Sequence, residues 1–284
     1  MNLAYYPGCS LKGTGKAYEK STLAVFSALG LELQEIPDWN CCGATAYMAV
    51  DALASKALSF RNLVLAQKME AKWVVAPCSA CYLNLFKARK EYLDNKPTRE
   101  KLCRTLKKTG WEYECSGLPE VLHPLHVLTE LVGLEKIREK IRRPLKGLRV
   151  VPYYGCQLVR PYDGYDDPVH PVKMDLLLEV TGAEVISDYP LKTRCCGASV
   201  AGVLEEPGLN LNGALIKEAK RRGGELIATV CPLCQFNLET YQRKTENAGR
   251  MPILYFTQVL GLALGLEGKA LGMEHLLYRP RLEV

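Results

Sequence analysis

Twelve cysteines stand in a chain of 284 residues, and ten of them fall into two sets of five in the same order. The first set reads Cys-x31-Cys-Cys-x35-Cys-x2-Cys and comprises Cys9, Cys41, Cys42, Cys78 and Cys81. The second reads Cys-x38-Cys-Cys-x34-Cys-x2-Cys and comprises Cys156, Cys195, Cys196, Cys231 and Cys234. Each vicinal pair opens a Cys-Cys-Gly-Ala tetrapeptide, at 41–44 and 195–198. Free cysteine packs as a small apolar residue, which accounts for one or two positions but not for five repeated in order. Disulfides leave an odd sulfur in each set. A thioredoxin-like Cys-x-x-Cys pair leaves the vicinal cysteines without a role. Structural zinc closes with four ligands, and five overfill it. Iron–sulfur clusters are held by thiolates, and several irons accommodate more than four, so the pattern favours iron–sulfur chemistry over zinc. A regular cubane takes four cysteines; a fifth suggests an open or distorted cluster. Successive side chains on a strand point to opposite faces, so the backbone has to bend where both sulfurs of a pair reach one cluster. Gly43 and Gly197 supply that freedom.

The positioning elements repeat with the cysteines. "YYPGC" at 5–9 answers to "YYGC" at 153–156, "ALGLEL" at 28–33 to "VTGAEV" at 180–185, and "CSACYLNL" at 78–85 to "CPLCQFNL" at 231–238. This is one duplicated half rather than a solenoid of short repeats. In the first half, "NLAYY" predicts a strand leading to Cys9. Tyr18, Val25, Phe26 and Leu29 share one face of a helix that Gly30 stops. "LELQEI" is the next strand, a long helix covers roughly 47–71, and "WVVA" is a buried strand ending at Cys78. In the second half, Pro171 opens a helix bearing Val172, Leu176, Leu177 and Val180, closed by Gly182, and "LIATV" runs into Cys231. Asp166, Asp167 and Pro168 read as a turn feeding that helix. Alternating strand and helix predicts an α/β fold with mostly parallel strands. Sites in such sheets lie beyond the carboxyl ends of strands, where Cys9, Cys78, Cys156 and Cys231 fall. The charged, turn-rich segment 94–147 reads as a joint, with the boundary near Lys146, and the last twenty residues as a tail packed on a body or partner.

Composition sets the class. With 48% hydrophobic and 24% charged residues the chain is ordinary for a globular protein, long enough for one large or two modest domains. "MNLAYYPGCS" has no basic segment followed by an apolar one, so no signal peptide is expected. The longest apolar candidate, "VLGLALGL" at 259–266, is too short to span a membrane. A cytoplasmic, reducing setting is expected, in which many cysteines point to metal or redox chemistry. The formal charge of +6 reads as a solvated basic surface. No basic run with interleaved aromatics points to nucleic acid.

With both cysteine sets and the final "TQVLGLALGL" in place, the chain resembles the B subunit of heterodisulfide reductase and its relatives, the cysteine-rich CCG-domain proteins, over essentially its whole length. The resemblance implies two pseudo-twofold-related CCG domains, 1–146 and 147–284, each a mostly parallel sheet flanked by helices. It also implies two noncubane [4Fe-4S] clusters, held by the two five-cysteine sets, that jointly cleave a disulfide into two thiols. It makes this the catalytic subunit of a complex supplied by an iron–sulfur protein like the family's C subunit and a flavin protein like its A subunit. The alternative within the resemblance is an electron-transfer or assembly component of a lactate- or succinate-oxidising system. If each cluster core carries roughly +2, five thiolates leave it near −3, and two clusters balance the formal +6. Lys12 and Arg160, just after Cys9 and Cys156, are candidates to lean over the clusters or meet an acidic substrate; simply reaching solvent is an equal reading.

Outside the pattern, Cys103, Cys115, His123 and His126 offer a loosely spaced zinc set. The helical apolar periodicity of "VLHPLHVLTEL" instead favours helix or interface histidines. Tyr153, Tyr154, Tyr162 and His170 are candidate proton donors, with packing the commoner role for the tyrosines.

Overall fold

The computed structural model describes residues 2–44, 47–108, 110, 117–162, 165–245 and 250–280. The first half contains β1 (Leu3–Tyr5), α1 (Gly8–Lys12), α2 (Lys16–Ala28), β2 (Leu33–Glu35), α3 (Tyr47–Val50), α4 (Ala52–Lys68), β3 (Trp73–Val75), α5 (Ser79–Asp94), α6 (Lys96–Lys108) and β4 (Glu120–Leu122). After β4 the chain runs through α7 (Pro124–His126), a π-helical stretch (Val127–Gly133) and α8 (Leu134–Lys140). The second half contains β5 (Arg149–Tyr153), α9 (Lys173–Val180), β6 (Glu184–Val185), α10 (Glu205–Arg221), β7 (Leu226–Thr229), α11 (Pro232–Tyr241), β8 (Ile253–Tyr255) and α12 (Phe256–Ala263).

The strands form two four-stranded sheets, ordered β2-β1-β3-β4 and β6-β5-β7-β8, and every pairing in them is parallel. The central strands are short apolar runs with their side chains buried, as in Leu3–Tyr5 and Leu226–Thr229. This is what a parallel sheet covered by helices requires. The chain is thus α/β with parallel sheets flanked by helices. The fourth strand of the first sheet, β4, lies in the segment that the sequence reads as a joint. Its three residues pair with β3 from Trp73–Glu120 to Val75–Leu122.

The described residues gather into two compact units. One comprises Met1–Cys9 and Leu31–Pro124, the other Ser10–Gly30 and Leu125–Val284. The repeat boundary near Lys146 is a division of the sequence, and the compact units are drawn differently. The helix between β1 and β2 counts with the second unit, where α12 packs against both α2 and α9. Tyr18 of α2 stacks on Tyr255 with ring centroids 4.2 Å apart, and Ser21 Oγ meets Thr257 Oγ1 at 2.7 Å. The α2 stripe of Tyr18, Ser21, Thr22, Val25 and Phe26 is buried at helical spacing.

Two helices differ from expectation. The helix expected over 47–71 is interrupted at Asp51, whose Oδ1 accepts from the backbone N–H groups of Leu53 and Ala54, each at 2.9 Å, and so starts α4 afresh. In α9 the buried face is Met174, Leu177, Leu178 and Val180, while Val172 and Leu176 are exposed. The Asp166–Asp167 turn feeds α9 as expected: Asp166 Oδ2 accepts from Val172 and Lys173 N–H, and Asp167 Oδ1 from Val169 and His170 N–H. The C-terminal segment packs on the second unit through the Leu277 N–H bond to Glu239 and buried Leu271 and Leu276. Asp51→Ala removes both cap bonds and is expected to lower stability by about 1 kcal/mol, read as a fall in the urea midpoint at constant slope.

Candidate metal centre

In the order β2-β1-β3-β4, β1 and β3 are neighbours, and the chain leaves them toward opposite edges. The crevice at such a switch point is the standard ligand position of an open parallel sheet. The cysteines occupy both lips. Cys9 lies in α1, four residues past the end of β1; Cys78 is the N-cap of α5, three residues past β3, and Cys81 follows in its first turn. The second unit repeats this: Cys156 follows β5, Cys231 caps α11 and Cys234 sits in its first turn. N–H groups at the starts of α5 and α11 and the positive end of each dipole face that lip of the crevice.

The vicinal pairs complete each set. Cys42 Sγ stands 3.3 Å from Cys81 Sγ, and Cys196 Sγ 3.5 Å from Cys234 Sγ. Gly43 N–H donates to Cys41 Sγ at 3.4 Å, and Gly197 N–H to Cys195 Sγ at 3.3 Å. Both glycines have positive φ, +75° and +85°. A Cβ on either would lie 2.9 Å from a backbone oxygen, that of Ser55 or Gly208. The bend that brings both sulfurs to one side therefore needs glycine twice over, for its φ and for its lack of bulk.

Burial is matched as well. Cys42, Cys78 and Cys81 are buried, as are Cys196, Cys231 and Cys234, while Cys9 is exposed and Cys41, Cys156 and Cys195 are half-buried. Three sulfurs of each set face the interior and two approach the surface. In the second unit, Cys196, Cys231 and Cys234 belong to the same apolar cluster as Val151, Leu215 and Ile227. Like charges in such surroundings cannot all form. A hydrogen bond from Cys41, and then one from Cys81, draws Cys42 down to about 4; bonds from Cys195 and then Cys234 draw Cys196 down to about 4. Their partners go the other way. Cys41, Cys81, Cys195 and Cys234 are raised, first by those same bonds, and Cys156 is raised first by burial.

Four residues that the cysteine pattern alone does not single out as site residues hold the vicinal pairs. Tyr6 Oη donates to Asn40 O at 2.7 Å and Tyr153 Oη to Arg194 O at 2.6 Å, in each case the carbonyl just before the pair. Asn84 Nδ2 donates to Cys42 O at 3.1 Å and Asn237 Nδ2 to Cys196 O at 2.7 Å. The sequence carried a trace of the asparagines in the Asn-Leu shared by "CSACYLNL" and "CPLCQFNL". Tyr153, a candidate proton donor, has its phenol far above the ordinary range, by burial first and then by Cys234, Cys196, Cys156 and Cys195. Tyr154 donates to Asp175 Oδ1 at 2.7 Å, and Asp175 pairs with buried Lys192. Tyr162 is half-buried, and His170 lies in the turn before α9 with its N–H bound to Asp167 Oδ1.

Lys12 pairs with Glu19 at 2.7 Å, and Arg160 Nη2 donates to Thr193 O at 2.7 Å, two residues before Cys195. Cys103 is on α6, and Cys115 lies outside the described residues. His123 is fully buried with Nε2 2.8 Å from Pro77 O, and the His126 ring lies 4.7 Å from that of Tyr165. Among the described residues no three His, Cys, Asp or Glu side chains stand at the spacing of a single-ion site. A donor set of five thiols, soft and close-packed, fits a polynuclear iron–sulfur group by its chemistry.

Comparison with known proteins agrees with this arrangement. The cysteine-rich domain model CCG matches residues 3–86 and 150–239, and the chain belongs to that family. It is 31% identical to the B subunit of ferredoxin:CoB-CoM heterodisulfide reductase of Methanosarcina mazei, over 96% of this chain and 92% of that one. It is 30% identical to a protein of Archaeoglobus profundus named as like the B subunit of heterodisulfide reductase, over 92% and 89%. It is also 32% identical to the 8-methylmenaquinol:fumarate reductase membrane anchor subunit of Wolinella succinogenes, over 96% and 95%. Among the described residues no helix is long and apolar enough to cross a membrane. A crystal structure of a hypothetical protein from Helicobacter pylori shares the fold at a TM-score of 0.74 and 15% identity, over 96% of this chain and 51% of that one.

Metal ligation takes thiolates, so the thiols held above their usual range must release protons on loading. The sign is fixed: uptake strengthens as pH rises toward the raised thiol values and weakens as pH falls. Anaerobic iron and sulfide uptake is expected to release protons in a pH-stat and to fall steeply below neutral pH. Uptake independent of pH would contradict the thiol assignment.

Proposed function

We propose that each five-cysteine set holds a noncubane [4Fe-4S] cluster, the first in residues 1–146 and the second in residues 147–284, and that the chain reduces a disulfide to two thiols. The observation that carries this reading is the doubled site: ten cysteines in two sets, with the same N-caps and bends and three buried sulfurs in each. A cluster in each set would supply one-electron redox chemistry. A disulfide takes two electrons and two protons to give two thiols, so two matched one-electron centres suit its stoichiometry. The residues of the chain contribute the rest. The buried sulfurs keep water from one side of each set, and Cys9, Cys41, Cys156 and Cys195 leave the other side open to a reactant. Lys12 and Arg160 would help hold an anionic disulfide. The names of the relatives support placing the chain in a larger redox complex. We assign it an iron–sulfur partner like the family's C subunit, a flavin partner like its A subunit, and a cytoplasmic setting.

One finding favours a second reading. The Wolinella relative is named as a subunit of a quinol:fumarate reductase. On that reading the clusters relay electrons or serve assembly, and no disulfide is cleaved.

The two readings separate in one experiment. Anaerobically purified protein is expected to be brown, with about eight iron and eight sulfide per chain. After reduction, a disulfide is expected to reoxidise it with two thiols formed per disulfide. Reoxidation by quinone or fumarate systems but by no disulfide supports the relay. Colourless protein that takes up only zinc contradicts both. With an anionic disulfide, Lys12→Ala and Arg160→Ala are expected to raise KM with kcat little changed.

A further inference from the structure

The tyrosines in front of the cysteine pairs form a construction that occurs twice. Tyr6 and Tyr153 are 147 residues apart, the same offset as Cys9 and Cys156. Both are completely buried, at 0% and 1% exposure. Each is followed two residues later by a glycine at φ +67°, Gly8 or Gly155. A Cβ on Gly8 would lie 2.9 Å from Cys81 Sγ and 3.2 Å from Tyr6 Cε1. One on Gly155 would lie 3.2 Å from Cys234 Sγ and 3.8 Å from Tyr153 Oη. In both units the glycine thus brings the tyrosine ring close to a buried sulfur of the set, that of Cys81 or Cys234. Each ring then extends to the peptide before the vicinal pair, where its hydroxyl ends on the carbonyl of Asn40 or Arg194. On the other side of the pair, Asn84 and Asn237 hold the carbonyls of Cys42 and Cys196.

The surroundings of this clamp differ between the halves. In the first, Asn62 Nδ2 also donates to Asn40 O and Ser59 Oγ to Cys42 O. In the second, Asn212, 153 residues after Ser59, turns to Asn237 O instead. The tyrosine and the far asparagine are what the two sites share. A buried hydroxyl needs a partner, and many carbonyls could provide one. Both tyrosines select the one carbonyl whose orientation fixes where the next two sulfurs point.

We infer that Tyr6 and Tyr153 are positioning residues for the two clusters, each setting the geometry of its vicinal cysteines by locking the peptide before them and walling the adjacent sulfur from water. This rests on the cluster reading above. A ring that excludes water and a peptide that fixes ligand angles act on the redox potential and the electronic structure of the group they surround. Neither residue is asked to exchange a proton.

The test is Tyr6→Phe and Tyr153→Phe in the full chain, purified anaerobically beside the wild type. Phenylalanine keeps the ring and removes the lock. Each variant is expected to shift the midpoint potential and broaden the paramagnetic signal of one cluster component while the other stays as in the wild type. The double variant is expected to alter both. Loss of iron from one half alone also supports the inference. In the iron-free chain, amide exchange over 40–43 in the first variant and 194–197 in the second is expected to quicken, with the other segment unaffected. Wild-type potentials, signals and exchange in both variants would overturn the inference and leave the cluster reading standing. A single substitution that strips iron from both halves would overturn it too, since general unfolding would then explain the loss. Wild-type protein with no iron–sulfur signal would overturn the cluster reading and the inference together.

Discussion

The structure turns on a conflict of charge. Five thiols are brought together inside or at the edge of an apolar interior, twice. In such surroundings one thiolate makes the next harder to form. In each vicinal pair one sulfur, Cys42 or Cys196, is drawn down toward ionisation while its neighbour is pushed up. Without metal the sets are stores of protons held against their release. On the proposed reading, a cationic iron–sulfur core would remove the conflict, because each thiolate would face iron rather than another thiolate. The formal charge of +6 would suit two such anionic assemblies on the proposed reading.

The fold answers this by position. Two neighbouring parallel strands end beside each other, and their following segments diverge, which leaves a crevice with a helix start, that of α5 or α11, on one lip. Cys78 and Cys231 sit at those starts as N-caps, in positive helix-end fields. The vicinal pairs come in from a loop that no regular element fixes. Their shape comes from a glycine with positive φ, from the backbone that crowds it, and from tyrosine and asparagine bonds to the flanking carbonyls.

The sequence made the repeat, the parallel sheets and the ten sulfurs legible, because each left a pattern of spacing. It left less trace of features that depend on tertiary contact. β4 and β8 lie outside the repeated motifs, and they become strands only by pairing with β3 and β7. The break at Asp51 hid in a helical pattern because a capping aspartate reads as one more polar residue. Leu176 lay on the apolar stripe but faces outward, since α9 buries Leu178 instead. Tyr6 and Tyr153 stood in the quoted repeats, yet their role depends on carbonyls 34 and 41 residues away. The structure also shows which tyrosines correspond: Tyr6 with Tyr153, so that Pro7 stands opposite Tyr154.

On the proposed reading each half holds its own cluster. That reading is tested most directly by replacing Cys41 and Cys42 together with alanine and measuring iron, acid-labile sulfide and the paramagnetic signal beside the wild type. Iron and sulfide are expected to fall to about half while the signal of the second half persists unchanged. Loss of all iron from a chain that remains folded would contradict it and point to one cluster shared between the halves.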